Sequence, residues 1–234
     1  MGMGDGIRFY SAGGWSIVAI ILLICLVVLL IPLLFLGFIG AAFARLGFSW
    51  IAAVVVIILM ILGRAINIPL WKIQRDMVRL DHNGESGGNG YEPWETVISL
   101  NLGGAVIPIV IAVYLLVIST GSTGVSIGVP VIVSVILVAA LSYIVTRRVQ
   151  GTGLRVPLFM PGLTALLCGF VLAGGVGLAA GVTAFVSGTF GTLLGANVAN
   201  LPRIRDLGVD GFSIGGAGTF GAVFISCILS ALIA

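Results

Sequence analysis

The chain has 234 residues, of which 59% are apolar and 8% charged. A soluble domain carries about 25% charged residues, so this composition excludes a water-soluble globular core and makes the bilayer the solvent. The net charge of +3 is gathered into the links between apolar segments, as positive-inside sorting expects; it is not spread as a nucleic-acid-binding surface would be.

Taken in order, the apolar runs predict an all-α, polytopic transmembrane helical bundle of seven spans, at about 15–40, 49–71, 97–119, 127–146, 158–173, 177–199 and 213–233. A tail, 1–14, precedes a single transmembrane domain, 15–234. The first run is too long for a signal-peptide core and long enough to span a bilayer, which needs ~20 residues. It has no polar residue after Ser16 and is expected to face lipid. The longest polar segment, 72–96, reads as a cytoplasmic loop.

Charge orients the bundle. With a cytoplasmic N-terminus, Arg8, Lys72, Arg75, Arg79, Arg147, Arg148, Arg155, Arg203 and Arg205 all lie inside, and Arg45 lies outside. The C-terminus is then outside. Trp15, Trp50, Trp71 and Trp94 fall at span boundaries, where amphipathic rings settle.

Span six carries small residues at alternating steps of four and three: Gly177, Gly181, Ala184, Gly188, Gly191 and Gly195. This spacing predicts one stripe on one helix face, with Leu193 off it. Gly215, Gly218, Ala222 and Ser226 make a second stripe. Little hydrophobic force joins helices in lipid, so close backbone approach between small residues supplies the contact. At the turn between the stripes, Asn197 is expected to pair with Thr219 or with backbone near Gly215.

The orientation places the unusual residues at one end. Arg64 and Asn67 end span two, Asn101 opens span three, Asn197 and Asn200 end span six, and Ser213 and Thr219 open span seven. Polar groups inside a membrane face protein or a water-filled cavity. Together these seven residues point to a cytoplasmic vestibule for a small polar or anionic solute. Capping and helix packing are the plainer roles for each one singly.

Other chemistry is sparse. The spans hold no Asp or Glu, which removes carboxylate relays and paired-aspartate catalysis. Cys25, Cys168 and Cys227 lie in apolar segments without metal-ligand spacing and read as small hydrophobes. GGAGTF lacks the order of a dinucleotide loop, and no cofactor is expected. Asp81, Asn83, Glu85 and Glu92 have the spacing of calcium-loop ligands, but Ser86 stands where the sharp turn needs glycine. A flexible acidic linker is the favoured reading there.

Four stretches, GRAINIPLW at 63–71, NLGGAVIP at 101–108, GTLLGANVANL at 191–201 and SIGGAGTF at 213–220, together resemble an uncharacterised prokaryotic membrane-protein family, domain of unknown function 1614. The resemblance implies a membrane fold and no settled activity. The family pattern also looks similar to intramembrane aspartyl proteases, with acids at two positions that are Asn197 and Gly221 here. Neither residue can do acid–base work, so the resemblance implies a non-catalytic relative. Three readings remain open: a binding or transport protein, a non-catalytic protease relative, and a structural membrane subunit.

Overall fold

The computed structural model describes residues 14–80, 86–122, 127–149, 153–204 and 209–234. The chain divides into two units, Met1–Phe38 and Ile39–Ala234. The boundary falls inside the first helix, α1 (Gly14–Arg45). In the first unit, the described α1 residues form an aliphatic rod whose large side chains from Val18 to Phe35 are exposed.

The second unit begins with the end of α1. There Ile39, Phe43 and Leu46 are buried, and the Phe43 ring meets Phe185 edge to face at 6.3 Å. Next come α2 (Trp50–Gly63), a hairpin of β1 (Asn67–Leu80) and β2 (Ser86–Asn101), α3 (Ile107–Ser122), α4 (Gly128–Val145), a ribbon of β3 (Arg147–Val149) and β4 (Gly153–Arg155), α5 (Met160–Leu172), α6 (Leu178–Val186), α7 (Leu201–Ile204), β5 (Gly211–Ile214) and α8 (Phe220–Ile233). Every apolar run read from the sequence contains one main helix. Four helical stretches are long and apolar enough to cross a membrane: Val18–Arg45, Leu102–Thr120, Gly128–Val145 and Leu178–Ile204. Helices α2, α5 and α8 are shorter, with 14, 13 and 14 residues. At 1.5 Å per residue they reach about 20 Å, short of a ~30 Å hydrocarbon core.

The missing length is strand. Segment 67–71, expected to finish a helix, and the described part of segment 72–96, expected as a polar loop, lie in the paired strands β1 and β2. Segment 97–101, expected to open span three, is the end of β2, and 211–214 pairs parallel to it as β5. The sheet order is β1-β2-β5. Alternation explains why these residues are strands. Asn67, Pro69, Ser99, Asn101 and Ser213 hold matching register positions, with Asn67 opposite Asn101 and Ser99 opposite both Pro69 and Ser213. The intervening Ile98, Phe212 and Ile214 are buried. Asp81, Asn83 and Glu85 lie outside the described residues. Glu92 stands on β2 opposite Met77, in the extended strand that begins at Ser86.

The stripe on α6 is also changed. The helical path from Leu178 to Ile204 contains two π turns, Ser187–Gly191 and Leu193–Asn197. A π turn holds an extra residue relative to an α turn and rotates the next stretch of helix about its axis. A Cβ on Gly188 would lie 2.7 Å from Ser226 Cβ on α8 and 3.3 Å from Ala165 Cβ on α5, whereas one on Gly191 would lie 2.6 Å from Val138 Cβ on α4. Gly195 likewise rests on the Ala139 backbone of α4. The small residues therefore serve two faces, not one. Gly181 sits against Leu46 and Ala234. A Cβ on Gly177 would meet nothing within 4 Å; its φ of +132° makes it a turn residue before α6. Leu193, expected off the contact face, is buried at 4% exposure.

A candidate polar cleft at the sheet end

The end of α2, the π turn Leu102–Val106 before α3, and the turn between β5 and α8 meet with almost no side chain between them. A Cβ on Gly63 would fall 2.9 Å from Gly103 N, and one on Gly104 would strike the Gly215 carbonyl. Gly215 has φ +73°, so it supplies both the left-handed turn and the close approach.

Asn101 organises the first side of this junction. It is fully buried, and its Nδ2 donates to the Arg64 carbonyl at 2.7 Å, Asn67 Oδ1 at 3.0 Å and the Ile66 carbonyl at 3.3 Å. Its Oδ1 accepts from Gly104 N at 2.8 Å, capping the π turn. Asn197 organises the second side. Its Nδ2 donates to Thr219 Oγ1 at 3.0 Å and its Oδ1 accepts from Gly215 N at 3.4 Å. Both contacts expected of it are present. Asn200 donates to the Gly195 and Ala196 carbonyls and accepts from Arg203 Nη1 at 3.0 Å, while the Arg203 guanidinium lies 4.4 Å from the Tyr143 ring centroid. The Arg64 guanidinium lies 5.4 Å from the Phe220 ring centroid.

The seven predicted site residues thus separate by role. Asn101, Asn197, Asn200 and Thr219 are buried, and their polar groups are used on chain carbonyls, amides and one another. Arg64 covers an aromatic ring. Asn67 and Ser213 remain on an open surface, joined by a 2.6 Å hydrogen bond from Ser213 Oγ to Asn67 Oδ1. They line a cleft of about 460 Å³ with Pro69, Ser99, Phe212 and Ala217. Ser99 Oγ donates to the Phe212 carbonyl at 3.3 Å. The Asn67 Nδ2 group has no partner among the described residues, so the cleft offers amide donors beside two hydroxyl oxygens. No charged side chain is among the residues lining it.

Ser99 and Ala217 were not anticipated. The signal for Ser99 was its place two residues before Asn101 on an alternating strand; Ala217 carried none. A second, apolar cleft of about 390 Å³ is lined by Trp71, Ile73, Leu201 and Pro202.

A family model described as "Protein of unknown function (DUF1614)" matches residues 61–233. The chain belongs to the DUF1614 family. All four motif stretches lie within the match, as do the glycine junction and the cleft. No curated protein and no solved structure matches the chain. A Cβ at Gly221 would point at Leu158 Cδ1, with nothing from Asn197 within 4 Å.

Proposed function

We propose that this DUF1614 protein is a multi-pass membrane protein with a cytoplasmic N-terminus and an outside C-terminus, and that it binds a small neutral polar solute in the Asn67–Ser213 cleft. Four long apolar helices support the membrane assignment, and the basic links support the orientation. The observation that carries the ligand reading is the cleft itself. Asn67 and Ser213 lie 146 residues apart in sequence, yet the sheet brings them together beside Ser99 with unused hydrogen-bonding capacity. A neutral lining favours a neutral solute over an anion, because a buried anion without a cationic partner carries a large desolvation cost.

The test is a thermal-shift screen of the purified full chain in nanodiscs against sugars, polyols, amides and neutral amino-acid derivatives, with inorganic anions in parallel. An active solute should raise the unfolding midpoint of the wild type and not that of Ala217→Trp, which fills the cleft from an exposed position. A solute that stabilises both equally binds elsewhere, and an anion that stabilises only the wild type overturns the neutral assignment.

A further inference from the structure

The ribbon between α4 and α5 carries an arrangement that the cleft does not use. Arg147 on β3 stands directly opposite Arg155 on β4. Directly opposed residues of an antiparallel pair project from the same face, a few ångströms apart, and like charges so placed repel. Both arginines are exposed. Neither has an acidic partner among the described residues, where the one ion pair is Lys72 with Glu95. Arg148, opposite Leu154, projects from the other face.

Two like charges held together in this way favour a shared counter-anion. Phosphate suits them, because guanidinium groups bind its oxygens in bidentate fashion. The surroundings narrow the source. Ile144, just before the ribbon, is 75% exposed, and Phe159, just after it, is 55% exposed, with Leu158 and Met160 exposed beside it. The arginine pair is therefore flanked in sequence by exposed apolar side chains, at the ends of two apolar helices. A ligand with a phosphate and a hydrocarbon tail satisfies both features, and a free anion satisfies one.

We propose that Arg147 and Arg155 form a binding site for the phosphate of an anionic phospholipid at the membrane surface. The site rests on the membrane assignment and is independent of the cleft. Alkaline carbonate extraction tests that assignment first: release of the chain would sink it and this site together. Retention leads to the second measurement, unfolding midpoints and lipid retention in native mass spectrometry for the full chain in nanodiscs. The discs contain phosphatidylcholine alone or with phosphatidylglycerol.

Phosphatidylglycerol should raise the wild-type midpoint and stay bound. Retention should fall ~30-fold in Arg147→Gln/Arg155→Gln, taking about 1 kcal/mol for each arginine near an anionic surface. Arg148→Gln should keep most of the effect. In phosphatidylcholine alone, Arg155→Gln should leave the midpoint unchanged or raise it, because the repulsion is relieved. A lowered midpoint there would mark the arginine as structural and overturn the proposal. Equal wild-type behaviour in the two lipid mixtures, or full retention by the double variant, would overturn it too. Millimolar inorganic phosphate should give no shift. A shift equal to that of phosphatidylglycerol would identify a free-anion site in place of a lipid site.

Discussion

Replacing Gly104 by alanine tests the glycine junction most directly. The added methyl would strike the Gly215 carbonyl and would also lie 2.9 Å from Phe220 Cδ2 and 3.0 Å from Gly215 C. Ordinary carbon contacts need about 3.5 Å or more. Phe220 can turn aside, but the Gly215 backbone cannot, because Asn197 Oδ1 holds its amide from the other side. The π turn and the β5–α8 turn must therefore separate by roughly 1 Å. Overpacking of this kind costs about 1–3 kcal/mol, and backbone on both sides puts Gly104→Ala near the upper figure. For a chain of this size that lowers the midpoint by roughly 10 °C. Thermal unfolding in detergent micelles, followed by size-exclusion peak area, measures it. Gly128→Ala is the control: a Cβ there meets nothing within 4 Å, so the change should stay within about 1 kcal/mol. Equal midpoints for the two variants would refute the junction as a backbone-on-backbone contact.

Asn101→Ala should destabilise by about 3 kcal/mol, since it removes a cap and leaves the Arg64 carbonyl and Gly104 amide unpaired; Asn101→Asp, which keeps the acceptor and loses the donors, should not restore stability at neutral pH. Gly188→Leu should abolish the folded peak because α5 and α8 already close on it, while Leu194→Ile, at an exposed position, should be mild; matching losses would show that α6 packing does not depend on Gly188. In the hairpin, bonds from Lys72 and then Gln74 hold the Glu95 carboxyl below its usual range, and Glu95 holds the Lys72 amine above its own. The carboxylate's contribution is present above its unfolded value, ~4.3, and lost as pH falls through the lowered folded value; the amine's is present below ~10.4 and lost as pH rises through the raised one. Amide protection near Lys72, taken relative to the intrinsic exchange rate at each pH, should therefore be greatest between those limits at low salt, and Glu95→Gln should flatten that profile; a profile unchanged by the substitution would show the bridge to be idle.

The apolar segments were legible because hydropathy depends on local composition. The sheet was less so. Ile66, Ile68 and Leu70 alternate with Asn67 and Pro69, a period of two that was available but continuous with the apolar run of α2. The glycine- and asparagine-rich start of β2, 86–90, gave no local sign of a strand. Nothing local distinguishes GFSI as a strand; it becomes one by pairing with β2 across the whole bundle. Among site residues, the Asn197–Thr219 pair was readable because both flank one turn. The separation of Asn101 from Asn67, one buried and one open, was not, because the two stand opposite each other in the sheet and differ in tertiary cover, Asn67 lying on the edge strand and Asn101 on the middle one. The π turns left no trace beyond glycine, and they are why one stripe in the sequence serves two helix faces.

The parallel pairing of β5 with β2 also sets an order of events. Thr96 Oγ1 donates to the Val209 carbonyl across 113 residues, so a ribosome must deliver α3 through α7 before the third strand exists. Until then β2 presents an unpaired edge, and the π turn at Leu102–Val106 lacks the glycine turn that closes on it. Such late, long-range closure is slow and exposes intermediates. Formation of the early helices and completion of the cleft are therefore separate steps, and the cleft can mature only once Gly211–Ile214 has left the ribosome.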